Sequence, residues 1–300
     1  MLHPSGRFAT ASVAWQLLLA MRWDVITALV LTLLCTLVPP ELERRLSPQV
    51  LLPLLGISVS VFTAFRNTQA FQRWWDARTH WAWMVDACRE WRDVLIALRS
   101  PRSDPQLWDR LVKRQVLLAW QLNLELRGRS LVRQRCNSRP PHSALGLPAN
   151  LTTQDLLRSQ ADGIAELVNL QQINDGPSRV LLFNAHGRAL SAIGGLERIQ
   201  QQPMPPYYDL FIRLIVWVFG LLLYLRMDEI STPNWSVIGF VCLVGFVTAE
   251  RLGALLEDPF TSPVFGLPMD HICAGISGDL LGRNHPLSHS PQGPEEIIWT

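Results

Sequence analysis

Four stretches of the chain contain no ionisable residue, and strongly polar segments separate them. A helix that crosses a bilayer needs roughly 20 predominantly apolar residues. The second and fourth stretches reach this length, and the first reaches it if it includes Met21–Asp24 at the interface. The third reaches it only if Tyr207–Arg213 forms its cytosolic end and neighbouring helices shield Asp209 and Arg213. The pattern therefore predicts four transmembrane helices, at about 23–40, 46–65, 207–225 and 230–250.

The arginines that flank these stretches predict the orientation of the helices. More arginines lie beside the N-terminus and the long middle segment than in the two links that join the helices in pairs. Loops on the cytoplasmic side of a membrane carry an excess of Lys and Arg. We therefore expect a multi-pass protein of the cell inner membrane, with both termini and the middle segment in the cytoplasm.

The middle segment, 66–204, has the pattern of a cytosolic helical bundle. Its apolar residues form two rows, in each of which the members are seven residues apart, and the two rows together make one stripe along a helix. Further helices are expected at 104–127, from a Thr152/Thr153 cap to about 172, and at 180–201. The residues from 282 to 300 are rich in Pro, His and Ser and are predicted to be disordered, which leaves a single all-α domain over 1–281. The two rows are Trp74, Trp81, Cys88, Leu95 and Ala77, Met84, Trp91, Leu98.

Composition narrows the possible functions. Apolar residues make up 48% of the chain and charged residues 17%, which suits a protein partly embedded in a membrane. The net charge of +2 gives no reason to expect a nucleic-acid partner. The five cysteines include no CxxC pair, so neither a disulfide framework nor a zinc knuckle is expected. Because no phosphate loop, activated nucleophile or metal motif is present, we expect no cofactor, no metal and no enzymatic activity.

Four motifs, in order along the chain, resemble the bestrophin family. The first, FRNTQAFQRWWDARTHW at Phe65–Trp81, is similar to the FRN…RWWEAR…W pattern of bacterial bestrophins. The second is GGLERIQQQPMPPYY at Gly194–Tyr208, and the third is EDPF at Glu257–Phe260. The fourth is GLPMDHIC at Gly266–Cys273, similar to LPLDxIC. One motif alone would be weak, but four in the right order around the right hydropathy are specific, and the resemblance covers about 6–281.

The resemblance implies an ion channel that assembles as a homopentamer around a central pore. Its second membrane helix would line an apolar neck at three positions, one turn apart, that correspond to Ile57, Val61 and Phe65. The permeating ion would be chloride or another small anion, as in most family members. A monovalent cation such as sodium stays open as an alternative, because some bacterial relatives pass cations and an apolar ring discriminates little between charges.

The residues themselves are compatible with a neck. Positions i, i+4 and i+8 lie on one helix face, so five copies would stack three apolar rings over roughly 12 Å. Small neighbours such as Gly56 and Ser60 would let membrane helices approach closely. An apolar constriction can gate by dewetting. Periodicity alone favours the alternative that these residues face lipid or a neighbouring helix, and the resemblance reverses that preference.

Arg66 and Asn67 come directly after the neck. They either tune the field along the ion's path or anchor the end of the helix among the headgroups, and the neighbouring tryptophans favour a structural role. Only Glu257 and Asp258 stand where animal bestrophins clasp calcium, so calcium gating is not expected. A second family constriction, at the cytosolic exit, stays unassigned. A transporter or a membrane-bound enzyme is a more distant alternative, since neither inverted repeats nor clustered titratable residues are visible.

Overall fold

A computed structural model describes residues 15, 17–37, 51–100, 104–128, 151–228, 235–262 and 265–289. Throughout these ranges the regular structure is helical, which confirms the all-α prediction. The α-helices are α1 (Arg22–Cys35), α2 (Leu51–Leu98), α3 (Pro105–Leu126), α4 (Thr153–Asn169), α5 (Gly176–Gln201), α6 (Pro206–Asp228), α7 (Trp235–Glu257) and α8 (Met269–Leu281).

The chain, for which the sequence predicts a single channel domain over 1–281, divides into two compact units. The first unit contains Met1–Trp74 and Pro203–Phe265, and the second contains Trp75–Gln202 and Gly266–Thr300. Helix α2 therefore begins in the first unit and ends in the second.

Helices α2, α6 and α7 are long and apolar enough to cross a membrane. Helix α1 has 14 residues, which corresponds to only about 21 Å at 1.5 Å per residue. The core of a bilayer is about 30 Å thick, which is more than the length of α1. Helix α1 is also shorter than the span predicted at 23–40. Residues 38–50 lie outside the described ranges. Four predicted spans thus correspond to three helices of spanning length in the described part of the chain.

The ends of the spanning helices differ from the predicted ends because charged residues lie inside them. Helix α2 continues through Arg66 to Leu98, although the charge-free stretch ends at Phe65. Helix α7 continues past Glu250 to Glu257. Both charged side chains are buried within the first unit and are paired there, so neither ends its helix.

The apolar core of the first unit is built where its helices approach closely. A Cβ placed on Gly220 of α6 would displace the terminal methyl group of Leu243 of α7, so glycine lets this leucine pack directly against α6. Phe219 and Phe246 pack edge to face, with ring centroids 4.9 Å apart. The buried core residues of this unit are Met21, Ala28, Val59, Ile212, Val216, Phe219, Leu243 and Val247.

The second unit contains the helices predicted for the middle segment. Asp104 caps α3 by accepting from the Gln106 N–H at 2.9 Å. Thr152 and Asp155 form a reciprocal capping box at the start of α4. The predicted stripe on α2 is confirmed in this unit, since Trp81, Met84 and other members of both rows are buried. The core cluster of this unit comprises Trp91, Leu95, Leu107, Trp108, Leu111, Ile164, Leu167, Ile173, Leu182 and Ala185.

The predicted disordered tail is wrong over its first part. Residues 282–289 are described, and Pro286–Ser288 forms a 3-10 helix. The imidazole Nδ1 of His285 caps this helix by accepting from the Leu287 N–H at 3.2 Å. The Ser288 hydroxyl donates to the carbonyl oxygen of Gly282 at 2.8 Å. These local hydrogen bonds order a segment whose composition alone suggested disorder.

Candidate functional site

The three predicted neck residues lie on one exposed face of α2 within the first unit. The exposed fractions are 65% for Ile57, 45% for Val61 and 63% for Phe65. Large apolar side chains that remain so exposed in a single chain call for a covering partner, either lipid or protein. Both a pore neck and a lipid-facing stripe would present such a face.

A buried row on the opposite face of the same helix fixes the orientation of that exposed face. Val59, Thr63, Arg66 and Ala70 follow one another at helical spacing and are all buried. Because each residue turns the helix by about 100°, these side chains and the neck row cannot both face the bundle. The sequence alone did not distinguish the two faces.

Gly56 and Ser60, predicted as small residues near the neck, play different parts. A Cβ on Gly56 would come within 3.2 Å of the Phe219 ring, so glycine allows α2 to approach α6 closely. Ser60 is exposed, and its hydroxyl donates to the carbonyl oxygen of Gly56 at 2.8 Å. That bond satisfies the hydroxyl within the helix.

Arg66 points into the first unit rather than toward headgroups. Its guanidinium is 1% exposed and donates to the Glu250 carboxylate at 3.0 Å and to the Glu250 carbonyl oxygen at 2.8 Å. It also pairs with the Asp209 carboxylate, while the Glu257 carboxylate lies 3.8 Å away. The contacts of Arg66 are therefore made with carboxylates of α6 and α7, which agrees with a structural role through helix packing rather than through the headgroups.

Asn67 is likewise turned toward α7. Its side-chain amide donates to the carbonyl oxygen of Ala249 at 2.9 Å. A Cβ on Gly253 would overlap the Asn67 amide, so this glycine makes room for it. Arg66 and Asn67 thus act as adjacent polar contacts from α2 to α7.

A second ionic cluster, which sequence reasoning missed, lies around Asp24 in the same unit. The Asp24 carboxylate is 7% exposed and accepts from Arg213 at 3.0 Å and from Arg251 at 2.7 Å and 2.8 Å. Arg251 also lies 4.0 Å from Glu250, which links this cluster to the partners of Arg66. Asp209 and Arg213, for which the sequence predicts shielding, are paired with Arg66 and Asp24, while 39% and 40% of their side chains remain exposed. The missed signal was the presence of opposite charges at the ends of several apolar runs.

Glu257 and Asp258 are engaged by groups of their own unit. A Glu257 carboxylate oxygen accepts from the Met204 N–H at 3.3 Å, and the Glu257 carbonyl oxygen accepts from Arg73 Nε at 2.9 Å. Asp258 accepts from the N–H groups of Phe260 and Thr261. Within the described residues, no group of three or more His, Cys, Asp or Glu side chains could hold a metal ion.

Three sequence motifs meet at this position. Arg73 belongs to the first motif, Met204 to the second and Glu257 to the third, and hydrogen bonds join them. Trp74 adds a bond from its indole N–H to the carbonyl oxygen of Phe265 at 2.7 Å. Residues from three of the four motifs thus meet in one hydrogen-bonded junction of the first unit.

Comparison with known proteins identifies the family. A sequence model of the bacterial and fungal bestrophin proteins matches residues 6–281. The chain belongs to the bestrophin family. The chain is 32% identical over 221 residues to the Ralstonia nicotianae protein named voltage-dependent anion channel-forming protein RSc3414, covering 69% of this chain and 68% of that protein.

Other relatives agree with this assignment to the bestrophin family. The Escherichia coli K12 protein named voltage-dependent anion channel-forming protein YneE is 28% identical over 246 residues, covering 77% of this chain and 75% of its own. A crystal structure of a bacterial bestrophin homologue from Klebsiella pneumoniae superposes with a TM-score of 0.72 at 21% identity, covering 87% of this chain and 97% of that one. The bestrophin assignment and the helices of spanning length support a membrane protein, and the family and these names indicate a channel rather than an enzyme.

Proposed function

We propose that this bestrophin is a homopentameric anion channel whose pore is lined by α2, with an apolar neck formed by Ile57, Val61 and Phe65. The observation that carries the proposal is the exposed apolar row on α2, which lies opposite a buried row. Relatives named as anion channel-forming proteins support the choice of anions, with chloride as the expected physiological ion.

The neck would act as a hydrophobic barrier rather than as a binding site. Five copies of each side chain would form a ring, and the three rings would span roughly 12 Å along the pore. Such a constriction controls conduction by excluding water, since an ion that enters must bring part of its hydration shell. Because apolar rings carry no charge, anion preference would arise outside the neck.

An enclosed path for ions requires several subunits. The exposed face of α2 in a single chain offers no enclosed path, so the channel needs several copies around an axis. We expect the protein in the cell inner membrane, with both termini and the 66–204 region on the cytoplasmic side, in contact with lipid and with permeating ions.

Two measurements test this function. The detergent-solubilised particle should have the protein mass of five 34.0 kDa chains, and a monodisperse monomer or dimer would refute the pore. Purified protein in planar bilayers under a potassium chloride gradient should give a reversal potential near the chloride equilibrium potential. A value near the potassium equilibrium potential would refute the anion assignment and identify the cation alternative, while leaving the pentamer intact.

A further inference from the structure

We infer that Arg66 is the positioning residue of the neck: its ionic contacts to α6 and α7 fix the rotation of α2 that keeps Ile57, Val61 and Phe65 on the exposed face. This inference rests on the proposed channel function, and it concerns a residue that would never touch the ion. It begins from the fact that Arg66 directly follows Phe65, the last residue of the neck.

The contacts of Arg66 are directional. Its two terminal nitrogens reach different helices, one bonding to Glu250 of α7 and the other pairing with Asp209 of α6. A guanidinium is planar and presents its donors in a fixed fork, so two simultaneous carboxylate contacts constrain both its position and its angle. Rotating α2 by one residue, about 100°, would remove Arg66 from these partners and would turn Phe65 away from its exposed position.

Burial makes the alternative rotation costly. The side chains of Arg66 and Glu250 are each 1% exposed, so neither charge would find water if the pair separated. An uncompensated charge in such a place is strongly unfavourable. Asn67 reinforces the same orientation by donating to the Ala249 carbonyl oxygen.

The remaining contacts of the neck segment constrain rotation less. Val59 packs in an apolar core, and Phe62 meets Phe211 edge to face at 5.6 Å. The hydrophobic effect is non-directional, so within this segment the main apolar limit on rotation is the close approach of Gly56 to Phe219. The polar contacts that set the angle are therefore concentrated at Arg66 and Asn67, directly after the neck.

A matched pair of cysteine reporters measures the rotation. Val61→Cys lies on the exposed face and Val59→Cys on the fully buried one, and the two substitutions are chemically identical. The background carries alanine at Cys35, Cys136 and Cys242, while Cys88 and Cys273 are buried and can remain. The readout is the rate at which a charged, water-soluble thiosulfonate changes the current of the reconstituted channel.

When Arg66 and Glu250 are unchanged, the Val61→Cys channel should react on the order of 100-fold faster than the Val59→Cys channel. Arg66→Met/Glu250→Gln removes both members of the fully buried pair and leaves the Asp209 carboxylate, which is 39% exposed, to the solvent, and the ratio should then fall to within about tenfold. Arg66→Lys keeps the charge but loses the fork, so an intermediate ratio is expected. If the double variant does not assemble as the parent does, the Arg66→Lys ratio decides the question.

The control removes a different ion pair of the same unit. Arg213→Met breaks the ion pair between α1 and α6 and leaves Arg251, which lies 4.0 Å from Glu250, paired with Asp24. This single substitution should therefore leave the reporter ratio at its parent value. A loss of ratio in this control equal to that in the Arg66 variants would overturn the inference, since any loosening of the unit would then suffice.

The inference and the channel proposal fail in different ways. If Val61→Cys is modified in the parent with no effect on current, the neck is wrong and the role of Arg66 is overturned with it. If Val61→Cys blocks the parent but both Arg66 variants keep the full ratio, the neck stands and Arg66 does not position it.

Discussion

Replacing Ile57, Val61 and Phe65 with alanine tests the neck directly. All three side chains are largely exposed in the single chain, so their truncation removes little packing within the subunit. Surface substitutions of this kind change stability by about 0.5 kcal/mol or less each. The triple variant should therefore fold and assemble, and any electrical change should report on the pore.

The expected gain follows from the apolar surface removed from the pore wall. If one methylene group per ring is counted at about 0.8 kcal/mol, the barrier falls by about 0.8 kcal/mol when one ring limits and about 2.4 kcal/mol when all three add. At 1.36 kcal/mol per factor of ten, unitary conductance or open probability should rise about fourfold to about sixtyfold. The cut-off for large anions should also loosen. Single-channel recording in planar bilayers measures each of these.

A control triple on α6 matches the neck row closely. Leu210, Leu214 and Val218 have the same four-residue spacing, and their exposed fractions are 63%, 62% and 42%. If that face meets lipid, its alanine triple should leave conductance within about twofold of the parent, because only a shift of about 1.4 kcal/mol makes a tenfold change. A neck triple that assembles normally but conducts like the parent would refute the neck, and a larger effect of the α6 triple would move the pore to that face.

Three further predictions concern packing, reactivity and topology. Gly195→Ala should lower the free energy of unfolding by about 1–3 kcal/mol, because its Cβ would enter the His80 ring. A Cβ at Gly194 meets nothing, so Gly194→Ala should be neutral or stabilising. Thermal unfolding followed by tryptophan fluorescence compares the two variants. Burial raises the pKa of the Cys273 thiol well above its ordinary value, so it should resist alkylation at pH 8 until the protein unfolds, as mass spectrometry would detect. Cys136, which lies outside the described residues, should escape an impermeant thiol reagent added to intact cells, and efficient labelling from outside would invert the proposed topology.

The helices were predictable from sequence because two independent signals agreed on them. Apolar periodicity predicts the stripe of α2 and the helix α3, and the Thr152/Thr153 cap predicts the start of α4. The pairing of Asp104 with Gln106 and of Thr152 with Asp155 is local, so it needs no knowledge of the tertiary structure. Signals that depend on neighbours within a few residues survive the step from sequence to fold.

The helix ends were less predictable because they depend on distant partners. In the sequence, the charge of Arg66 ends an apolar run and therefore predicts a helix boundary. In the structure it is paired with Glu250, 184 residues away, and the helix continues through it. The same holds for Glu250 within α7. A charge that finds its opposite on another helix no longer needs water, and no local pattern announces that pairing.

The polar residues beside the neck complete the argument for an apolar row. Ser58, Ser60 and Thr68 donate their hydroxyl groups to the carbonyl oxygens of Leu54, Gly56 and Ala64, four residues earlier in each case. Sequence reasoning treated such small residues only as a means of close helix approach. Because each hydroxyl hydrogen is already used within the helix, these residues offer no unsatisfied donor to a passing ion or to water. The face that carries Ile57, Val61 and Phe65 therefore offers fewer hydrogen-bond donors than its serines and threonine suggest, and their oxygens remain only as acceptors, which lowers the affinity of the proposed neck for a passing anion.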